Sequence, residues 1–312
     1  MSPKWSWSST GNEVVAGYAE RIKGRTCPSD GGIGAETALC LASQSPSTII
    51  LAGRDRAKIQ PVIEKISHLN PEVNAIFIAL DLSSQASVRS AAAEVNRQVN
   101  HLDVLINNAA LMACPYGTTP DNLEIQFGTN FIGPFLFTGL LLPRLRAAGP
   151  GARIVNVSSS AHRFEGIRFD DVDFKGGSVY DTWKAYGQSK TALILMAVHI
   201  ASKLPSTDIA AFSVHPGSIA SNLQRHVDSE SISDARVKSQ NIVDYEVTDR
   251  KSLQQGCSTT LIAALDPSLT ELSGSYLSDG QLKDPARHAS GTENATKLWN
   301  LGEAILGQTF EL

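Results

Sequence analysis

Short apolar runs alternate along this chain with longer stretches of helical period. Thr48–Ala52 (TIILA), Ala75–Leu80 (AIFIAL), Val104–Ile106 (VLI), Arg153–Val157 (RIVNV) and Ile209–Val214 (IAAFSV) read as strands. They are apolar on both faces, as strands of a parallel sheet covered on each side by helices should be. Between them, Ala35–Ser43, Ala57–His68, Gln85–Asn100, Leu123–Ala147 and Thr182–Leu204 read as helices. The alternation predicts an α/β fold, a single doubly wound parallel sheet with right-handed crossovers. Residues 23–312 are expected to form that domain, with residues 1–22 as an N-terminal extension and a helix near Ala295–Leu306 closing the end. The longest stretch without a period, residues 218–255, follows the last strand and reads as a substrate lid.

Composition narrows the function classes. With 42% hydrophobic and 19% charged residues and a net charge of -4, the chain reads as a soluble globular protein. It has no basic footprint for nucleic acid or an anionic membrane. The four cysteines (Cys27, Cys40, Cys114, Cys257) lack the paired spacing of a zinc site or a disulfide framework, which fits a reducing compartment. The N-terminus lacks the apolar core of a signal peptide. No run reaches the roughly 18 apolar residues of a membrane span. FIGPFLFTGLLLPRL from Phe131 is broken by Gly133, Pro134 and Gly139, and is expected to be a buried helix. A cytoplasmic protein is therefore expected. The chain has no G-x-S-x-G elbow for a serine hydrolase, and its seven histidines show no H-E-x-x-H spacing for a metal.

The chemistry-bearing residues sit at strand ends. In Tyr186-Gly-Gln-Ser-Lys190 a spacing of four puts a phenol and an ammonium on one helical face. A nearby cation favours the phenolate, so the pair is expected to lower the tyrosine pKa toward neutrality and let it exchange a proton with a substrate oxygen. Alone, such a pair is more often an ordinary surface feature. Here three apolar strands also end in polar groups, at Ser158–Ser160, at Asn107-Asn108 and at His215-Pro-Gly-Ser218, where α/β sheets place their sites. Gly31-Gly-Ile-Gly34 opens the first helix, whose N-terminal N–H groups suit a pyrophosphate. A glycine run by itself is weak, but AETALCLA and the strand TIILA follow it.

Together these segments resemble the short-chain dehydrogenase/reductase family, in particular its retinol-dehydrogenase-like and WW-domain-oxidoreductase-like branch, from about Lys23 to the C-terminus. The resemblance implies a Rossmann-type fold and an oxidoreductase moving a hydride between NADP(H) and a small to medium lipophilic carbonyl or alcohol. It implies Tyr186 as acid/base and Lys190 as the cation that lowers its pKa and holds the nicotinamide ribose. Ser159 would hydrogen-bond the reacting oxygen, and Asn130 would complete a proton relay through a water. Gly32, Ile33 and Gly34 would cradle the pyrophosphate, Asp81 and Leu82 would meet the adenine, and Asn107 with Ala109 would flank its ribose. Pro216 and Gly217 would lie behind the nicotinamide, with Ile219 and Ser221 on its carboxamide. Arg54 stands where NAD-specific relatives tend to place an acid, and an arginine accommodates a 2′-phosphate, which favours NADP(H). No metal is implied. In relatives the two long helices often pair across a homodimer, and here that is open.

One departure stands out. Between Thr26 and Pro28 roughly four or five apolar residues of a first strand are missing, with the first glycine of the turn. Arg25-Thr-Cys27 is too short to replace them, Pro28 cannot donate to a ladder, and Glu13–Ile22 reads as a helix. A shifted segment, a misassigned exon boundary or a loss of cofactor binding each fits. The last makes a catalytically impaired scaffold or binding protein the competing function.

Overall fold

The computed structural model describes every residue except 1–3, 30–31, 241, 243–244 and 246–248, and only the backbone at 27–29 and 222. The strands are β1 (Thr26–Ser29), β2 (Thr48–Gly53), β3 (Asn74–Ala79), β4 (Val104–Asn107), β5 (Ala152–Val157), β6 (Ile209–His215), β7 (Ser218–Ile219), β8 (Arg250–Lys251), β9 (Tyr276–Ser278) and β10 (Gln281–Lys283). The helices are α1 (Gly11–Gly17), α2 (Ile33–Ala42), α3 (Arg56–Leu69), α4 (Gln85–Gln98), α5 (Ile125–Phe127), α6 (Gly133–Ala147), α7 (Thr182–Lys203), α8 (Ser229–Gln240), α9 (Leu253–Leu265) and α10 (Thr292–Leu306). A π-helical turn, Gly128–Ile132, joins α5 to α6.

The strands alternate their side chains between two apolar layers, which is why they read as unbroken hydrophobic runs. Ile50 and Ala52 of β2, Leu105 of β4, Ile154 of β5 and Ala211 of β6 pack on one side with α4, α6, α7 and α10. Ile49 and Leu51, Val104 and Ile106, Val155 and Val157, and Phe212 and Val214 pack on the other with α1, α2 and α9. The segment Ile125–Ala147 is long and apolar enough to cross a membrane, but the fold buries 89% of its most apolar window in the first layer.

The sheet is built in two units. One has the order β1-β2-β3 and the other β10-β9-β6-β5-β4, every pairing parallel except the β9–β10 hairpin. The first strand is short rather than lost, and of the three explanations the shifted segment is the one found. Thr26–Ser29, proline included, pairs in parallel with Thr48–Leu51, so the segment shifts into the central position as a four-residue strand. Among the described residues, Thr26 and Asp103 join it to the other unit. The Asp103 N–H donates to the Thr26 carbonyl at 3.2 Å, and the Thr26 N–H donates to Asp103 Oδ2 at 2.8 Å. The Asp103 carbonyl in turn accepts from the Arg153 N–H at 2.8 Å, carrying the seam into β5. Pro28 has no N–H to extend it.

Two segments show more structure than their sequence suggests. The N-terminal extension packs onto the domain: Val14, Val15 and Ile22 are fully buried in the second layer. Thr10 caps α1 in a reciprocal box with Glu13, and Gly11 lets the helix come so close that a Cβ there would lie 2.4 Å from Cys257 Sγ. The stretch 218–255 does contain a helix, α8. Its weak periodicity leaves Ile232 and Val237 exposed, which is why it reads as aperiodic.

Because the seam rests on the Asp103 carboxylate, Asp103→Ala should lower unfolding stability by about 2 kcal/mol. Asp103→Asn, which keeps an acceptor for the Thr26 N–H, should cost less. Urea denaturation checks this, and no loss in either variant would mean that the backbone bond and the apolar layers hold the seam without the carboxylate.

Candidate active site

The carboxyl ends of the strands open on one cavity of about 1360 Å³. Each of its walls continues from a strand, which is where a sheet with helices on both faces leaves a crevice. Ser158–Ala161 follow β5, and α7 lies over them with Trp183, Tyr186 and Lys190 facing the same space. Asp181 caps α7 by accepting from the Trp183 and Lys184 N–H groups. Gly187 allows the close approach of that helix to the β5 end: a Cβ would lie 2.6 Å from the Ala161 carbonyl. Ser158 Oγ donates to the Lys190 carbonyl at 2.8 Å, and Thr191 Oγ1 to the His162 carbonyl at 3.0 Å. These bonds hold the helix in register with the strand end.

Within this frame Tyr186 and Ser159 line the same cavity wall, near enough for the serine hydroxyl to act on the phenol. Lys190 Nζ donates to the Val157 carbonyl at 2.8 Å and sits 5.5 Å from the centre of the Tyr186 ring. The expected lowering of the tyrosine pKa is not found. Burial pushes the phenol well above its ordinary value, and the Ser159 hydroxyl pulls it only partly back. Asn130 is fully buried in the π-helical turn. Its Oδ1 accepts from the Leu111 N–H at 2.7 Å, and its Nδ2 donates to the Leu111 carbonyl and to Ser189 Oγ. Asn130 thus fixes the segment after β4 against α7, with both side-chain N–H groups taken.

The glycine turn supplies the opposite wall. Gly31 lies outside the described residues. Gly32, with φ +67°, is the N-cap of α2, and a Cβ there would meet nothing within 4 Å, so the position opens on free space. With no side chain capping it, the helix N-terminus faces the cavity through Gly32 and Ile33. A pyrophosphate fits such a cradle. Gly34 is buried in the first turn of α2 and is not part of the wall. Arg54, Asp81, Leu82, Ala109, Pro216, Gly217, Ile219 and Ser221 all line the cavity. Asn107 does not: its Nδ2 donates to Thr138 Oγ1 and Asn156 Oδ1 inside the fold, and Asn108 lines the wall instead.

Sequence reading missed several groups. Lys58, one turn into α3, brings a second cation to the wall beside Arg54, and its spacing of four was the available signal. Met112, Trp183, Val227, Ile232, Ala235 and Tyr245 form an apolar end near Tyr186. Only Trp183, three residues before Tyr186 on one helix face, could have been picked out. His215 and His162 back the site. His215 Nδ1 accepts from the Ser160 N–H, and burial lowers its pKa to about 4. His162 joins the Ser159 carbonyl (2.6 Å) to the Ala286 N–H (2.9 Å) through its two ring nitrogens, and burial lowers its pKa to about 3.

Comparison with known proteins agrees with this architecture. The family model for short chain dehydrogenase matches residues 28–171. Human retinol dehydrogenase 13 is 35% identical, over 94% of this chain and 92% of that protein. Short-chain dehydrogenase/reductase prx1 of Penicillium roqueforti is 36% identical, over 89% of this chain and 83% of its own. A solved structure of an uncharacterized protein from Mycobacterium paratuberculosis superposes with a TM-score of 0.72 at 30% identity, covering 95% of this chain and 99% of that one.

The two buried histidines give a pH signature. Unfolded, they take up protons near pH 6.5; folded, they resist protonation down to about 4 and 3. Their contribution is therefore complete above pH 6.5 and is lost as pH falls, by about 1 kcal/mol per pH unit for each. Denaturation midpoints between pH 7 and 4 should decline accordingly, and His162→Gln should flatten the slope. An unchanged slope in that variant would show that His162 does not stay neutral.

Proposed function

The chain belongs to the short-chain dehydrogenase/reductase family, and from that premise we propose that it is an NADP(H)-dependent oxidoreductase interconverting a carbonyl and an alcohol on a small to medium lipophilic substrate. The observation that carries this reading is that Ser159, Tyr186 and Lys190 line the wall of a cavity that also holds the glycine cradle of α2. When bound, the nicotinamide cofactor supplies or accepts the hydride. The protein's own part is proton transfer and position. A substrate oxygen between Ser159 and Tyr186 takes a hydrogen bond from the serine while the phenol gives up its proton to the nascent alkoxide. The raised phenol pKa keeps that proton in place at neutral pH, which suits carbonyl reduction. Lys190, anchored on the Val157 carbonyl, holds a positive charge next to the phenolate that forms.

Both side-chain N–H groups of Asn130 are engaged, so any relay through this residue runs from one of its carbonyl oxygens. Arg54 and Lys58 together favour a 2′-phosphate at the adenosine end. The apolar end near Trp183 and Met112 favours a lipophilic substrate, and a relative named retinol dehydrogenase points the same way. The competing scaffold reading drew on the missing first strand, and the short β1 removes much of its force.

Tyr186→Phe should lower turnover of a lipophilic aldehyde about 10²–10⁴-fold while NADPH affinity stays within a factor of about two. In the wild-type protein, reduction should hold its rate through neutral pH and fall only when the phenol ionises, whereas oxidation should climb with pH. Steady-state kinetics of both directions check this, and undiminished turnover in Tyr186→Phe would remove the tyrosine from the chemistry.

A further inference from the structure

The turn Pro216-Gly217 after β6 forms part of the cavity wall, and something must hold it there. Gly217 has φ +97°, and a Cβ on it would lie 2.6 Å from Cδ of Lys251 and 3.0 Å from Cε. The stem of Lys251 thus lies directly behind the turn. The β7–β8 register sets Ser218 beside Arg250 and Ile219 beside Lys251, so both roots of the 218–255 excursion meet at this point.

The Lys251 side chain is 0% exposed, and its Nζ lies 2.6 Å from Asp279 Oδ1. The approach is off the line of a regular hydrogen bond, so the contact is an ion pair. An ammonium this deep is tolerated only beside an opposite charge. Asp279 sits at the tip of the β9–β10 hairpin with φ +54°, a left-handed conformation that disfavours a non-glycine residue. Trp7 covers the ammonium from another side, its ring centre 5.9 Å from Nζ. The hairpin is in turn paired to the end of β6, Val214 with Leu277 and His215 with Ser278. From β6 through the turn, Lys251, Asp279 and β9 back to β6, the contacts form a closed ring around Pro216-Gly217. Neither charged residue lines the cavity.

We propose that Lys251 and Asp279 are a positioning pair: their buried ion pair fixes the Pro216–Ser218 turn as the back wall of the nicotinamide end and anchors the C-terminal root of the excursion. This rests on the reading of the cavity as a cofactor site. An apolar residue would fill the space behind Gly217 equally well; the charge adds a tether to a second strand pair, which packing alone would not.

The test compares Lys251→Met, which keeps the stem, with Asp279→Asn and with the double variant. Cofactor KM should rise about tenfold in each single variant with kcat at saturating NADPH changed less than about threefold, and the double variant should cost less than the sum of the singles. In the protein without cofactor, hydrogen exchange at the Gly217–Ile219 amides should quicken about tenfold or more in both single variants. Unchanged KM and unchanged exchange would overturn the proposal, as would a loss of thermal stability with neither of them altered. Should the wild-type chain bind no NADPH, the cofactor reading fails, and exchange at Gly217–Ile219 alone decides the tether: faster exchange supports it, equal exchange ends it.

Discussion

The two halves of the sheet meet where β1 runs beside β4, with Thr26 and Asp103 hydrogen-bonded across the seam, and the geometry of the site depends on that seam. The β1-β2-β3 unit carries the glycine turn, the N-terminus of α2 and the Arg54–Lys58 cations. The β4-β5-β6 unit carries Ser159, the α7 pair and the turn at Pro216. A dinucleotide would have to bridge the two, so their spacing sets whether its hydride-bearing end reaches Tyr186. Among the described residues, two backbone-directed bonds cross the seam. The apolar layers splint it: α9 packs against α2 on one side of the seam and against β5 and β6 on the other, and Ile49, Val104, Val155 and Phe212 share one continuous core. Burial of this kind is non-directional, so it holds the halves together without needing a full ladder between them.

The chemistry side of the cavity follows a different logic, in which several buried polar groups are committed to fixed partners. Asn130 brackets Leu111, His162 bridges Ser159 to Ala286, and Lys190 donates a hydrogen bond to the Val157 carbonyl. Such satisfied networks leave side chains little freedom to rotate, which is what a proton-transfer site needs. Burial also sets the protonation states: the Tyr186 phenol keeps its proton and the two histidines stay neutral.

Much of this was legible along the chain because strands buried on both faces leave unbroken apolar runs, and polar groups at their ends mark the crevice. Tyr186, Ser159, Lys190 and Arg54 reach one cavity as their positions implied. Three things were hidden for physical reasons. β1 holds a proline and two polar residues, so no hydrophobic run announces it; only its partner strand makes it a strand. The α1 segment reads as a separate extension because many of its contacts lie far away in α9, as with Asn12 and Gln254, 242 residues apart. The tyrosine pKa depends on how deeply the fold encloses the phenol, a quantity that a spacing of four does not carry. Asn107 and Asn108 differ only in which side of β4's end each faces, and a side-chain period of two at a strand terminus is easily misjudged by one.

The central claim is that a shortened first strand still builds a working dinucleotide site across the seam. The most direct measurement is a calorimetric titration of the purified, folded chain with NADPH and, in parallel, NADH. The account predicts saturable NADPH binding at one site per chain, about tenfold or more tighter than NADH because of the Arg54 and Lys58 cations. Absence of binding by either cofactor to a chain shown to be folded would contradict it, and equal affinity for the two would contradict the part assigned to those cations.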